Sequence, residues 1–119
     1  MPKRKQLSPG ARKKLWERFN GKCGYCGCDI KLEKMQADHI VALSRGGEDV
    51  ALNLLPSCRS CNHRKGTSTL ECFREQVEKF PSVLARDSVT YKNAVRFGLV
   101  IPNPGPVKFY FERMAEKYD

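Results

Sequence analysis

The chain of 119 residues has the length of one domain, and a core of that size is limited enough to gain from extra staples. No apolar run approaches the ~20 residues that span a bilayer, and the basic amino terminus, MPKRKQLSPG, lacks the apolar segment of a secretory signal, so a cytoplasmic protein is the expectation. Net charge is +9, and residues 1–18 hold Lys3, Arg4, Lys5, Arg12, Lys13, Lys14 and Arg18 against Glu17 alone, a field that attracts polyanions, nucleic acid first among them.

In chain order, Ser8-Pro9 reads as a helix start, a capping hydroxyl followed by proline in the first turn. Ala11, Leu15, Trp16 and Phe19 form an apolar arc, and Asn20-Gly21 ends this basic helix, residues 8–20. The segment CGYCGC is too rich in glycine for regular structure. Residues 34–42 read as a strand, Gly46-Gly47 as a loop, and VALNLLPSC as a second extended piece. A helix is expected from Asn62 onward. Ser68 and Glu71 have capping-box spacing, Leu70, Phe73, Val77 and Phe80 share a helical face, and Pro81 is read as its stop. Residues 87–97 read as helix with Gly98 as cap, and PNPGP as a rigid break. VKFYFERMAEKY reads as helix through Val107, Phe111, Met114 and Tyr118, with a strand through KFYF as the alternative. The whole reads as a single domain, residues 1–119, with a motif core over 23–66 and a helical extension over 67–119.

Six cysteines in a chain with no secretion signal point to metal ligation rather than disulfides. Cys23-x-x-Cys26 and Cys58-x-x-Cys61 lie 31 residues apart, and four thiolates at such spacings suit tetrahedral Zn²⁺. Four protein sulfurs close the coordination sphere, so this ion is structural. Cys28 is a substitute ligand that the symmetric spacing disfavours, and Cys72 reads as a small residue packed on its helix.

Between the cysteine pairs stand Asp38-His39, Gly46-Gly47 and Asn53-Leu54, and Asn62 with Lys65 follows Cys61. In this order they resemble the HNH endonuclease family, whose pattern is approximately C-x-x-C, D-H, a glycine-containing loop, N-L, then C-x-x-C-(H/N)-x-x-K. The resemblance covers residues 23–66 and implies an α+β protein: a small ββα-metal core, here stapled by a four-cysteine zinc site and flanked by helices. By the same resemblance His39 is the general base, Asp38 a carboxylate on a catalytic divalent ion, and Asn53 the residue that orients the base. Asn62 then takes the third position as ligand to that ion.

Those residue types suit phosphodiester hydrolysis. Imidazole, with an ordinary pKa near ~6.5, can take a proton from water. Oxygen ligands suit Mg²⁺ or Mn²⁺, which stabilises phosphate charge and the leaving oxygen. Neighbours Asn62 and His63 diverge by ~100° on a helix. His63, Arg64 and Lys65 are expected near the nucleic-acid backbone or in solvent, and the cations of the basic amino-terminal helix, Lys13, Lys14 and Arg18, are expected on the nucleic-acid backbone. The expectation is a metal-dependent DNA endonuclease nicking as a monomer, and the resemblance implies that it leaves 5′-phosphate and 3′-hydroxyl ends. The alternatives are a zinc-stapled DNA-binding module with little cleavage, or an RNA-directed protein. Adjacent strand residues face opposite ways, so Asp38 and His39 can serve one site only at a strand end or strong twist.

Overall fold

The computed structural model describes residues 7–103 and 105–117. Lys3, Arg4, Lys5 and Tyr118 lie outside them. Helix α1, Pro9–Arg18, opens as its sequence suggests: the Ser8 hydroxyl accepts from the Ala11 amide at 3.1 Å, with Pro9 in the first turn. Its apolar side buries Leu15, and Phe19 follows at the cap. Trp16 donates from Nε1 to the Ile30 carbonyl at 2.7 Å. Asn20 and Gly21 both take positive φ and turn the chain.

Strands β1, Gln36–His39, and β2, Leu54–Ser57, form a two-stranded antiparallel sheet in which Asp38 faces Leu55 and His39 faces Leu54. Helix α2, Arg59–Lys65, follows β2 directly. This is the α+β, ββα arrangement. Both strands are shorter than the sequence suggests: a 3₁₀ turn over Leu32–Lys34 takes in the expected start of β1, pairing ends at His39, and a 3₁₀ turn over Ala51–Asn53 takes up the start of β2. Helix α2 starts three residues before Asn62: the Cys58 sulfur caps it by accepting from the Cys61 amide at 3.4 Å.

Helices α3, Leu70–Glu78, α4, Phe80–Asp87, α5, Val89–Arg96, and α6, Tyr110–Lys117, complete the order. Pro81 does not stop a helix; it sits in the first turn of α4, where its missing N–H costs nothing. The Ser68 hydroxyl reaches back to the Lys65 carbonyl at 2.6 Å, and Glu71 pairs with Arg74 on α3 at 3.1 Å. Gly98 has the positive φ of a helix cap, and Cys72 is exposed rather than packed.

The described residues divide into two compact units, one holding those up to Leu70 together with those from Lys108 onward, the other those within Glu71–Val107. The first carries the sheet, α1, α2 and α6. Its core gathers Leu15, Phe19, Tyr25, Met35, Ala37, Leu54, Leu55 and Phe109. The KFYF segment is neither strand nor wholly helix. Its Tyr110 and Phe111 amides donate to the carbonyls of Tyr25 and Gly24, both at 2.9 Å, while Phe109 meets the Tyr25 ring edge-on at 5.4 Å. The chain's end therefore buttresses the first cysteine turn.

Candidate active site and metal centre

The first cysteine turn closes on itself, Cys23 donating to the Cys28 carbonyl at 2.8 Å and Gly27 to that of Cys23 at 2.9 Å. The Gly24 amide docks it onto β2 through the Pro56 carbonyl at 2.7 Å. The second pair sits at the start of α2. All four sulfurs, of Cys23, Cys26, Cys58 and Cys61, lie within 4.8 Å of one another. A tetrahedron of ~2.3 Å metal–sulfur bonds has edges of ~3.8 Å, and Cys26 and Cys58 stand 3.9 Å apart. A hydrogen bond from Cys61 holds the Cys23 thiol down at about 4. The same bond, followed by burial, pushes the Cys61 thiol up. Four thiolates so close repel one another, and a divalent cation among them relieves that repulsion. Size and donor set both fit a tetrahedral metal site.

Strand β1 presents different chemistry on its two sides. Toward α2, Gln36 and Asp38 share a face by the strand's two-residue period. Asn62 donates its amide to Gln36, and one turn on, Lys65 reaches Asp38 and the His39 carbonyl, at 3.5 and 3.0 Å. Tyr25 donates its hydroxyl to the same Asp38 oxygen, Oδ2, at 2.5 Å. Burial, and then the neighbouring carboxylate, pushes the Tyr25 hydroxyl up, so it remains a donor. Asn62 thus faces the strand, whereas His63 is exposed.

His39 ends the strand and is 7% exposed. Its Nε2 meets the carboxylate of Asp49 at 2.8 Å. Asp49 belongs to the loop between the strands, and two residues shape that loop. Asn53 accepts from the Val41 amide and donates to the carbonyls of Val41 and Glu48, all at 2.9 Å. Its side chain therefore bonds to the loop backbone and not to the His39 ring. Gly47 passes so close to Val41 that a Cβ there would stand 1.9 Å from its carbonyl oxygen. Gln36, Tyr25 and Asp49 were not singled out by sequence reasoning. Gln36 was within reach, two residues before Asp38 on a strand; nothing in the spacing marks Asp49.

The basic residues divide sharply. Lys65, expected near a nucleic-acid backbone, is only 1% exposed and is committed to Asp38 and the His39 carbonyl. Arg18 lies at the surface, yet its guanidinium donates to the Ala51 and Leu54 carbonyls at 3.1 and 3.3 Å, tying α1 to β2. Arg12, likewise, donates to the carbonyls of Leu32 and Met35. Lys13 and Lys14 are exposed, Lys13 standing 3.9 Å from Glu17. Arg64 is exposed as well.

Among the described residues, the four cysteines are the one group of three or more His, Cys, Asp or Glu side chains gathered to hold an ion. No described helix is long and apolar enough to cross a membrane.

Residues 23–68 match the family model described as HNH endonuclease. The Septu protein PtuB of Bacillus thuringiensis is 40% identical over 57 residues, covering 44% of this chain and 22% of PtuB. Among solved structures, the Type II-C Cas9 enzyme from Actinomyces naeslundii is similar with a TM-score of 0.53 and 27% identity, over 63% of this chain and 9% of Cas9. The chain therefore spans under a quarter of either relative. The matched stretch, residues 23–68, holds both the motif and the ββα frame, and over that stretch the chain is similar to the HNH endonuclease family.

Proposed function

We propose that this chain is a divalent-metal-dependent DNA endonuclease in which His39 is the general base. The observation that carries the reading is the two-sided end of β1, with His39 facing the loop and Asp38 facing Asn62's helix. The four-cysteine site takes Zn²⁺, closed by protein sulfur and therefore structural. Asp38 and Asn62 offer hard oxygen donors on the β1–α2 side, suited to Mg²⁺ or Mn²⁺. An ion held there supplies charge neutralisation on the phosphate and stabilisation of the leaving 3′ oxygen. His39 takes the proton of the attacking water, leaving 5′-phosphate and 3′-hydroxyl ends. Lys65, from within, fixes the carboxylate of Asp38 and the backbone at His39 together. Exposed cations, Lys13, Lys14 and Arg64, with His63, are the proposed contacts to the phosphate backbone.

Supercoiled plasmid incubated with Mg²⁺ or Mn²⁺ tests this. Wild type should convert it to open circle, as one site per chain implies. His39→Ala should be slower by ~10²–10⁴-fold with DNA affinity retained. No cleavage by either protein would leave a DNA-binding module in place of a nuclease, and equal cleavage by both would mean that His39 is not the base.

A further inference from the structure

We infer that Asp49 is a positioning residue for His39: its carboxylate fixes the imidazole with the proton on Nε2 and turns Nδ1 toward the attacking water. This rests on the reading of His39 as the base, and its motivation is the 2.8 Å contact between His39 Nε2 and Asp49 Oδ1. An ionised carboxylate only accepts hydrogen bonds, so in the neutral ring Nε2 must carry the hydrogen. The lone pair then resides on Nδ1, and this nitrogen alone can accept a proton from water. Once Nδ1 has taken the proton, Nε2–H still donates to the same carboxylate, so the ring need not turn during the transfer.

The surroundings give the contact fixed geometry. The His39 side chain is 8% and that of Asp49 26% exposed, so water screens the pair far less than it would a surface pair. Asp49 is placed by the loop backbone: Asn53 ties Val41 and Glu48 together across it, and Gly47 lets the chain pass tightly against Val41. From the other direction, Ile40 donates to the Asn53 carbonyl at 2.9 Å, and buried Lys65 holds the His39 carbonyl. The backbones that carry ring and carboxylate are thus tied to one another through Asn53. Asn53 acts at one remove, by building the loop that presents Asp49.

Two measurements test it. In ¹⁵N-labelled wild type at mildly alkaline pH, the His39 ring should show the Nε2–H tautomer, and Asp49→Ala should lose that preference. In single-turnover plasmid cleavage, Asp49→Ala should lower the rate at saturating protein by ~10–100-fold, the usual cost of losing an orienting partner. The protein concentration for half-saturation should change less than about twofold, and Asp49→Glu should recover part of the rate. The Nδ1–H tautomer in wild type would overturn the proposal, and so would an unchanged rate. So too would a loss that extra Mg²⁺ restores in full, since Asp49 would then be an ion ligand. Should Asp49→Ala fail to fold, the wild-type tautomer decides alone. If wild type cleaves nothing while the Nε2–H tautomer is present, the nuclease reading fails and the arrangement of the pair does not.

Discussion

Gly46 and Gly47 are adjacent, yet their reasons for being glycine differ. Gly46 has φ of +89° and open space around its α-carbon, so a side chain there meets only backbone strain, ~1–2 kcal/mol. Gly47 has no room: the atom a Cβ would strike is the backbone oxygen of Val41, 1.9 Å away, which cannot swing aside as a side chain can. Accommodation means moving the loop, and with it the carboxylate of Asp49. Gly46→Ala should therefore remain active with a modest fall in melting temperature. Gly47→Ala should lose most cleavage and, by displacing the loop, make the amides of residues 41–53 exchange faster. Thermal melts, hydrogen exchange and plasmid cleavage of both variants check this. Equal damage from the two substitutions would mean that the close approach to Val41 is not what shapes the loop.

None of the elements around the site is stable alone. Strands of four residues in a two-stranded sheet are marginal, and α2 has seven residues, well under the ~12–15 that an isolated helix needs. The four-sulfur site joins them, since Cys58 is both a ligand and the cap of α2, while the turn with Cys23 and Cys26 is docked on β2. Metal binding should thus be folding energy. Cys58→Ala, or a strong chelator, should abolish the cooperative thermal transition, whereas Cys28→Ser should melt as wild type with one bound zinc. A Cys58→Ala protein that folds normally without zinc would refute the assignment. This site was readable in the sequence because ligand spacing is a local property of the chain. The ββα order was readable for the same reason, from the motif. Element ends were less so: a cysteine sulfur as helix cap has no strong propensity signal, and proline serves a first turn as well as it follows a last one. The contact between His39 and Asp49 was not readable at all. It spans ten residues of irregular loop, where no period links the partners, and it exists only once Asn53 and Gly47 have set the path.

Charge acts at the scale of the whole molecule, where the field of all cations and the bonds of each are separate matters. Seven cations crowd residues 1–18, but two of the arginines, Arg12 and Arg18, spend their donors on backbone carbonyls within the fold. Those carbonyls are neutral, so the arginines keep their charge and still contribute to a field that draws DNA toward the protein. They are not free to follow a phosphate. Lys13 and Lys14 are, because the 3.9 Å approach of Lys13 to Glu17 is exposed on both sides and binds weakly. In the proposed nuclease, replacing Lys13 and Lys14 by Gln should reduce the slope of log affinity against log salt by ~0.9 for each phosphate that is no longer neutralised. Arg18→Gln should mainly lower the melting temperature, as the bonds to Ala51 and Leu54 disappear, and change the slope less. Binding titrations at several salt concentrations, beside thermal melts of the same proteins, separate the two effects. If Arg18→Gln melts as wild type and flattens the slope as much as the lysine pair, its guanidinium leaves the carbonyls for DNA, and the division between fold-holding and phosphate-holding cations is wrong.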